Sequence, residues 1–271
     1  MELRRLPLEE RAYVMPDLAP LEVGGAMDAA GLPLFVRDGT SYRHPVMLAQ
    51  RALALLDGHR QTRDPRYLAA ARTVADVLAE LSVDLPDGRY LPYPFAFDLH
   101  GRPAERLEAP WYSGMAQGQA ASVFCRLHDF GGRPADLDLA AGFVAALRPH
   151  GRRGPWISEV DEAGYLWIEE YPGPRPDRTL NGYAFALFGL YDFIMATADP
   201  QARRLLLGGL SCLRHYLPDF RVPGGLSVYC LAHRVQNAKY HAIHVEQLGI
   251  LAAMTGQADL ARYAELLGAD A

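Results

Sequence analysis

The stretch NAKYHAIHVEQL, residues 237–248, carries the first arrangement of side chains that could do chemistry. His241 and His244 are three residues apart, so they lie on roughly one face of a predicted helix. A zincin-type site on a helix needs a spacing of four, a glutamate between the histidines and a third ligand. We therefore expect no metal at this pair. We interpret both histidines as polar groups that face a cleft or are satisfied in the core.

Glutamate and tyrosine side chains offer a second kind of chemistry, general acid–base catalysis. In WIEEYPG, residues 167–173, Glu169 and Glu170 precede Tyr171 on a predicted extended segment. Neighbouring side chains on such a segment point to opposite faces. Only one of the two carboxylates can therefore share a pocket with the neighbours of Tyr171. A solvated acidic turn is the alternative interpretation.

Four tyrosines fall at or just outside the ends of predicted helices: Tyr112, Tyr171, Tyr229 and Tyr240. A phenol ordinarily titrates near ~10. It can serve as an acid or a base where a cleft or a neighbouring carboxylate perturbs it. Aromatic packing is the commoner role of a single tyrosine and stays open for each of the four.

The predicted helices come in consecutive pairs, and these pairs must position the candidate histidines, glutamates and tyrosines. The first pair is HPVMLAQRALALLDGH and DPRYLAAARTVADVLAEL, in which apolar residues recur at helical spacing and Asp64 is a candidate cap. Three more pairs follow, separated by segments rich in aromatic and turn residues. The pattern predicts a mainly α fold, an α/α barrel of helical hairpins in series, with short β-hairpin excursions lining one end. We expect an irregular N-terminal extension over residues 1–40 and one barrel domain over residues 41–271.

Composition restricts the class of protein. The net charge of −5 over 271 residues gives no electrostatic support for binding nucleic acid or an anionic membrane. The three cysteines form no CxxC pair, and no apolar run is typical of a signal peptide or a bilayer span. We therefore expect a cytoplasmic protein. No GxGxxG, P-loop or GxSxG motif supports a nucleotide cofactor or a serine-hydrolase elbow.

Several longer strings resemble the C-terminal domain of the D-glucuronyl C5-epimerases. They are HPVMLAQ, PWYSGMAQGQAASV, EEYPG, LNGYAFALFGLYDF, VYCLAH and KYHAIHVEQL. The resemblance implies an α/α barrel that inverts C5 of glucuronate in heparan-type chains without a redox cofactor. It implies catalytic roles for Tyr171, Tyr229 and Tyr240, with Glu170 orienting or activating the first of them. By the same resemblance we expect no cofactor and a possible homodimer.

Other polar residues of these strings are candidates for binding the substrate. They are Tyr112, Gln117, Asn181, His233, His241 and His244; helix capping or a satisfied core contact is the alternative for each. Where the family reads YDLRH, this chain has YCLAH. Ala232 thus stands where the resemblance implies an arginine that helps hold the substrate carboxylate. Arg178 and Arg234 are candidate replacements.

The sequence therefore predicts an epimerase of a uronate or related sugar acid that works by two-base proton transfer. A β-eliminating uronate lyase on the same scaffold shares the step of proton abstraction and stays open. So does a small-molecule biosynthetic tailoring enzyme that reuses the tyrosine cleft. The third alternative is a glycan-binding module without catalytic activity.

Overall fold

The computed structural model describes residues 2–21, 26–151 and 155–270. Eight α-helices follow one another within these ranges. They are α1 Pro45–Thr62, α2 Pro65–Leu81, α3 Gly114–Asp129, α4 Pro134–Ala146, α5 Leu180–Thr197, α6 Pro200–Phe220, α7 Ala238–Thr255 and α8 Ala258–Asp270. None of these described helices combines the length and apolar character needed to cross a membrane.

Consecutive helices form antiparallel hairpins whose joints follow from local sequence. Three of the joints are two residues long, and each begins with a residue in the left-handed region: Arg63, Ala198 and Gly256. Asp64 and Asp199 come next in the first two of these joints and accept hydrogen bonds from backbone N–H groups of the following helix. Proline occupies the first turn of each following helix there, where its missing N–H costs nothing.

The odd-numbered helices form the inner layer of the barrel, and the even-numbered helices pack outside them. Helix α3 is buried along almost its whole length, and α5 nearly so. The two approach closely because Gly118 and Gly189 lie at their contact. A Cβ atom added to Gly189 would stand 2.5 Å from the Cα of Gly118. This arrangement confirms the predicted mainly α fold of helical hairpins in series.

The described part of the N-terminal segment crosses the end of the barrel where the inner helices terminate. The amide of Arg4 donates to the carbonyl of Met254, and Arg11 and Arg126 both pair with the carboxylate of Asp192. All three side chains of this ion cluster are at most 8% exposed. Buried ion pairs are costly to break, because the remaining charge is left without a partner.

Antiparallel strand pairs occupy the connections between the hairpins. They are β1 Phe35–Arg37 with β2 Thr40–Tyr42, β3 Val83–Leu85 with β4 Gly88–Tyr90, β5 Phe97–Asp98 with β6 Arg106–Leu107, and β7 Ser158–Val160 with β8 Leu166–Ile168. The segment before α7 is extended in part and contacts the chain before α5 through Thr179 and Cys230. These connections supply most of the walls around the end of the barrel where the inner helices begin.

Candidate active site

A cavity of about 430 Å³ lies where the inner helices begin. Every inner helix contributes residues from its first turns or the residue before it. They are His44 and Val46 for α1, Ser113 and Met115 for α3, Asn181 for α5, and Lys239, Tyr240 and Ile243 for α7. The N-terminus of a helix is the positive end of its dipole. Four such ends at one cavity favour a negatively charged ligand.

One wall of the cavity is aromatic. Phe97 stacks on Tyr171 at 5.5 Å between ring centres, and Tyr93 stacks on Trp111 at 3.8 Å. Phe95 packs edge-on against both of the latter rings. Except for Tyr171, which follows β8, this wall comes from the aromatic segment between α2 and α3. Rings held by other rings give a ligand a rigid apolar surface.

Three tyrosines and one glutamate converge beside this wall. The hydroxyl of Tyr229 donates to Oε2 of Glu170 at 3.0 Å and lies 3.5 Å from the hydroxyl of Tyr171. The ring of Tyr240 packs on the ring of Tyr229, with 4.5 Å between their centres. Glu170, Tyr171 and Tyr240 line the cavity, whereas Tyr229 lies behind them and is 5% exposed.

Glycine at position 182 makes room for the Glu170 carboxylate. A Cβ atom built there would stand 2.6 Å from Cβ of Glu170 and closer still to its carboxylate oxygen Oε2. Gly182 lies in the first turn of α5, directly after Asn181. The LNG string therefore positions the carboxylate because only glycine lets it approach the helix so closely.

Burial sets the electrostatics of this cluster. Burial raises the pKa of Glu170 to about 7, and the hydrogen bonds from Tyr171 and Tyr229 partly oppose the shift because they favour the charged form. Burial and the Glu170 carboxylate raise the pKa of Tyr171, Tyr229 and Tyr240 above the ordinary phenol value. At neutral pH the phenols are therefore proton donors, and Glu170 is the group that can accept a proton.

The neighbouring Glu169 points away from the cavity. Its Oε2 accepts a hydrogen bond from the backbone amide of Arg178 at 3.0 Å, and the residue is fully buried. Burial raises the pKa of Glu169 to about 8. The two carboxylates thus lie on opposite faces of one extended segment, and only Glu170 reaches the tyrosines.

The structure places some predicted binding residues in buried contacts instead of the cavity lining. Gln117 links backbone groups, since its Nε2 donates to the carbonyl of Arg89 at 2.6 Å and its Oε1 accepts from the amide of Leu91. Nδ1 atoms of His241 and His244 both meet the hydroxyl of Ser227, at 3.0 and 2.8 Å. Gln117 and His241 thus have the satisfied core contacts that the sequence left open as their alternative role. His244 is also buried in the core, but its Nε2 has no hydrogen-bond partner among the described residues.

Other predicted binding residues lie on neighbouring surfaces. Tyr112 packs edge-on against Tyr90 and lines a separate shallow cavity. The guanidinium of Arg178 lies over the ring of Trp167 at 5.0 Å and lines a groove on another face. His233 pairs with two carboxylates outside the cavity lining. Of the predicted binding residues, Asn181 lines the cavity, and its Oδ1 has no hydrogen-bond partner among the described residues.

The sequence reasoning missed several polar residues of the cavity lining, among them His44 and Lys239. His44 caps α1 by accepting from the amide of Met47 through Nδ1, and burial lowers its pKa to about 4, so it is neutral. Lys239, the only lysine of the chain, lies 5.9 Å from the centre of the Tyr240 ring. Both occur in strings quoted for the family resemblance, and their position at helix starts was the available signal.

Comparison with known proteins identifies relatives of this chain. The family model described as D-glucuronyl C5-epimerase C-terminus matches residues 87–267. A D-glucuronyl C5-epimerase of Caenorhabditis elegans is 28% identical over 174 residues, which cover 57% of this chain and 28% of that protein. An uncharacterised protein of Methanocaldococcus jannaschii is 26% identical over 174 residues, covering 63% of this chain and 54% of that protein.

A solved structure of D-mannose isomerase shares the fold. Its TM-score is 0.53 at 15% sequence identity, and the match covers 79% of this chain and 58% of that one. The chain thus spans less than two thirds of the length of each of these relatives. Because the family model matches well over half of the residues, this chain belongs to the D-glucuronyl C5-epimerase C-terminus family.

Proposed function

We propose that this chain is a cofactor-independent epimerase that inverts C5, the carbon α to the carboxylate, of a glucuronate or related sugar acid. The observation that carries the proposal is the contact of Tyr229 with both Glu170 and Tyr171 at a cavity that Tyr240 also lines. Membership of the epimerase family supports the same chemistry.

In the proposed reaction Glu170 and Tyr171 form the basic side of the site. Tyr171 removes the C5 proton while its own hydroxyl proton passes to the Glu170 carboxylate, to which it is hydrogen-bonded. A carboxyl with a pKa near 7 suits this role, because it is substantially ionised at neutral pH and still basic enough to take a proton.

Tyr240 forms the acidic side of the site in this proposal. It belongs to α7, whereas Tyr171 follows β8 and stacks on the aromatic wall. A proton from the Tyr240 hydroxyl returns to C5 on the face opposite the one attacked. Tyr229 donates to Glu170, and its ring packs on the ring of Tyr240. We therefore assign it the return of the proton from Glu170 to the Tyr240 phenolate, which resets the site.

Negative charge that develops on the substrate carboxylate needs hydrogen-bond donors and positive charge. Ala232 supplies neither, and Arg178 and Arg234 do not line the cavity in the described structure. The four helix N-termini, the ammonium group of Lys239 and the side chain of Asn181 all lie at the cavity. We assign them the role of holding the carboxylate in this chain.

Deuterium exchange tests the proposal. The chain is incubated in heavy water with glucuronate, a glucuronate-containing disaccharide and a heparan-type oligosaccharide, and the recovered sugars are analysed by mass spectrometry and proton NMR. We expect one deuterium at C5 and a product of inverted configuration. Replacing Tyr171 or Tyr229 with Phe should slow exchange by about 10²–10⁴-fold. Tyr263→Phe, on α8 and outside the cavity lining, is the matched control.

Three outcomes would contradict the proposal. If no deuterium is exchanged into any of the uronates tested, the protein does not catalyse proton exchange at C5. An unsaturated product that absorbs in the near ultraviolet would identify an eliminating lyase instead. Unchanged glycan affinity in Tyr171→Phe, together with no turnover in the parent chain, would identify a binding module.

A further inference from the structure

A cluster of metal-ligating side chains lies behind Tyr229, outside the cavity. His100, Asp177, Cys230 and His233 each place one ligand atom within 4.8 Å of the other three. They come from three separate connections of the fold: the turn after β5, the chain before α5 and the chain before α7. Asp177 and Cys230 are fully buried, and the side chains of His233 and His100 are 5% and 15% exposed.

We propose that these four residues bind one divalent transition-metal ion of the zinc type. Nε2 of His100 lies 2.9 Å from Oδ2 of Asp177 and 3.5 Å from Sγ of Cys230, and Nδ1 of His233 lies 2.6 Å from Oδ1 of Asp177. Bonds of about 2.0–2.3 Å to a tetrahedral metal separate the ligand atoms by roughly 3.3–3.8 Å. Small side-chain movements therefore convert the observed contacts into a tetrahedral set.

The second carboxylate around His233 supports a metal-binding orientation of its ring. Nε2 of His233 lies 2.7 Å from Oε2 of Glu105, while Nδ1 of the same ring lies 2.6 Å from Oδ1 of Asp177. A cation bound at Nδ1 would leave the Nε2 proton of the ring beside the Glu105 carboxylate. A carboxylate that fixes the outer nitrogen of a ligating histidine is the usual outer partner of a metal site.

Ligand type and charge select the metal. A thiolate and two imidazoles suit zinc and other late first-row ions, whereas calcium and magnesium prefer oxygen ligands. One thiolate and one carboxylate neutralise the charge of a divalent ion. This neutralisation is needed because an uncompensated charge in a buried site is costly. Binding releases the thiol proton of Cys230 and any proton on Nδ1 of His233. All four positions are taken by protein atoms, which is typical of a structural site.

The location of the four ligands indicates that such an ion would position the chain that carries Tyr229. Cys230 directly follows Tyr229, and the His100 ring packs edge-on against the Tyr229 ring at 6.0 Å. The ion would hold the chain that carries Tyr229 against the chain that follows Glu170 and Tyr171. It does not reach the cavity lining, so metal binding can be tested separately from epimerase activity.

Metal binding to the untagged full chain tests the inference. After chelator treatment we expect one Co²⁺ per chain, with a thiolate-to-cobalt charge-transfer band, and we expect Zn²⁺ to displace the cobalt and raise the melting temperature. Cys230→Ala should abolish the band, whereas Cys125→Ala, in the middle of α3, should keep it. Glu105→Gln should weaken metal affinity by about 10–100-fold. His100→Ala, on a partly exposed turn, is the second variant if Cys230→Ala fails to fold.

The inference is overturned if Co²⁺ binds well below one equivalent or gives no thiolate band. It is also overturned if the band persists in Cys230→Ala. Metal-free protein with His233 as an imidazolium between Asp177 and Glu105 would give the first of these results.

Discussion

Replacing Glu170 with Gln should make the protein more stable at alkaline pH while removing its proton exchange. Burial raises the pKa of this carboxyl from 4.5 to about 7. Between these values the folded chain retains a proton that the unfolded chain has released. The contribution of Glu170 to the free energy of unfolding therefore falls as pH rises from about 4.5 to about 7, and is constant above that.

The size of the effect follows from the shift. At 1.36 kcal/mol for each pH unit, a pKa raised from 4.5 to about 7 corresponds to roughly 3 kcal/mol of stability lost at high pH. Glu170 is only 8% exposed, so water screens little of this cost. The amide of Gln carries no charge and keeps an oxygen that can accept from Tyr229. We expect Glu170→Gln to gain up to about 3 kcal/mol at pH 8.5 and little near pH 5.

Urea unfolding at pH 5 and pH 8.5, analysed by linear extrapolation, measures this difference. Glu169→Gln is the matched control, because Glu169 is a buried carboxyl with a pKa raised to about 8 and points away from the cavity. Both variants should be stabilised at high pH. Deuterium exchange should fall by about 10²–10⁴-fold in Glu170→Gln alone.

The reasoning about Glu170 is refuted if Glu170→Gln shows no gain at pH 8.5, or the same gain at both pH values. A pH-independent gain would mean that packing, and not the buried charge, sets the difference. Equal loss of exchange in both variants would show that the orientation of the two carboxylates has no functional meaning.

Three further substitutions probe the elements that support the site. Gly182→Ala pushes a Cβ atom against Glu170, so we expect a loss of about 1–3 kcal/mol in urea unfolding and a lower kcat. Asp192→Asn weakens the pairing of two buried arginines; we expect a loss of about 3–5 kcal/mol and faster proteolysis of the N-terminal segment. Lys239→Met should raise KM for an acidic sugar with little effect on kcat, most clearly at low salt.

Each of these has its own contrary result. Gly249→Ala, at an exposed helix position with open space around it, should raise the free energy of unfolding by about 0.5–1 kcal/mol. A similar increase in Gly182→Ala would contradict the predicted clash with Glu170. An unchanged urea midpoint in Asp192→Asn would remove the stabilising role of the ion cluster. An unchanged KM in Lys239→Met would mean that the helix N-termini or Asn181 hold the carboxylate without it.

Local signals in the sequence were sufficient for the helices and their order. Apolar residues at helical spacing predicted the hairpins, and Asp64 at its cap position predicted the start of α2, because these effects act within one or two turns. The resemblance also indicated the four residues that meet at the cavity. Alternation along an extended segment predicted that Glu169 and Glu170 diverge, and they do.

Residue type alone did not distinguish cavity residues from core residues. Gln117, His241 and His244 were candidates for the cleft, yet each makes a hydrogen bond to a distant backbone or side chain, and none of them lines the cavity. Whether a polar side chain faces a ligand depends on which partners the rest of the fold brings to it. That information is absent from the few residues around it.

Only the tertiary structure brought together the groups on which the proposed function and the proposed metal site rest. Four helix N-termini meet at one cavity because the barrel aligns its inner helices. The sequence of a single helix does not reveal where the other three begin. His100 and Cys230 are 130 residues apart, and no spacing rule in the sequence joins them to Asp177 and His233. Short-range preferences fix helices and turns, whereas contacts between remote segments exist only once the chain has closed on itself.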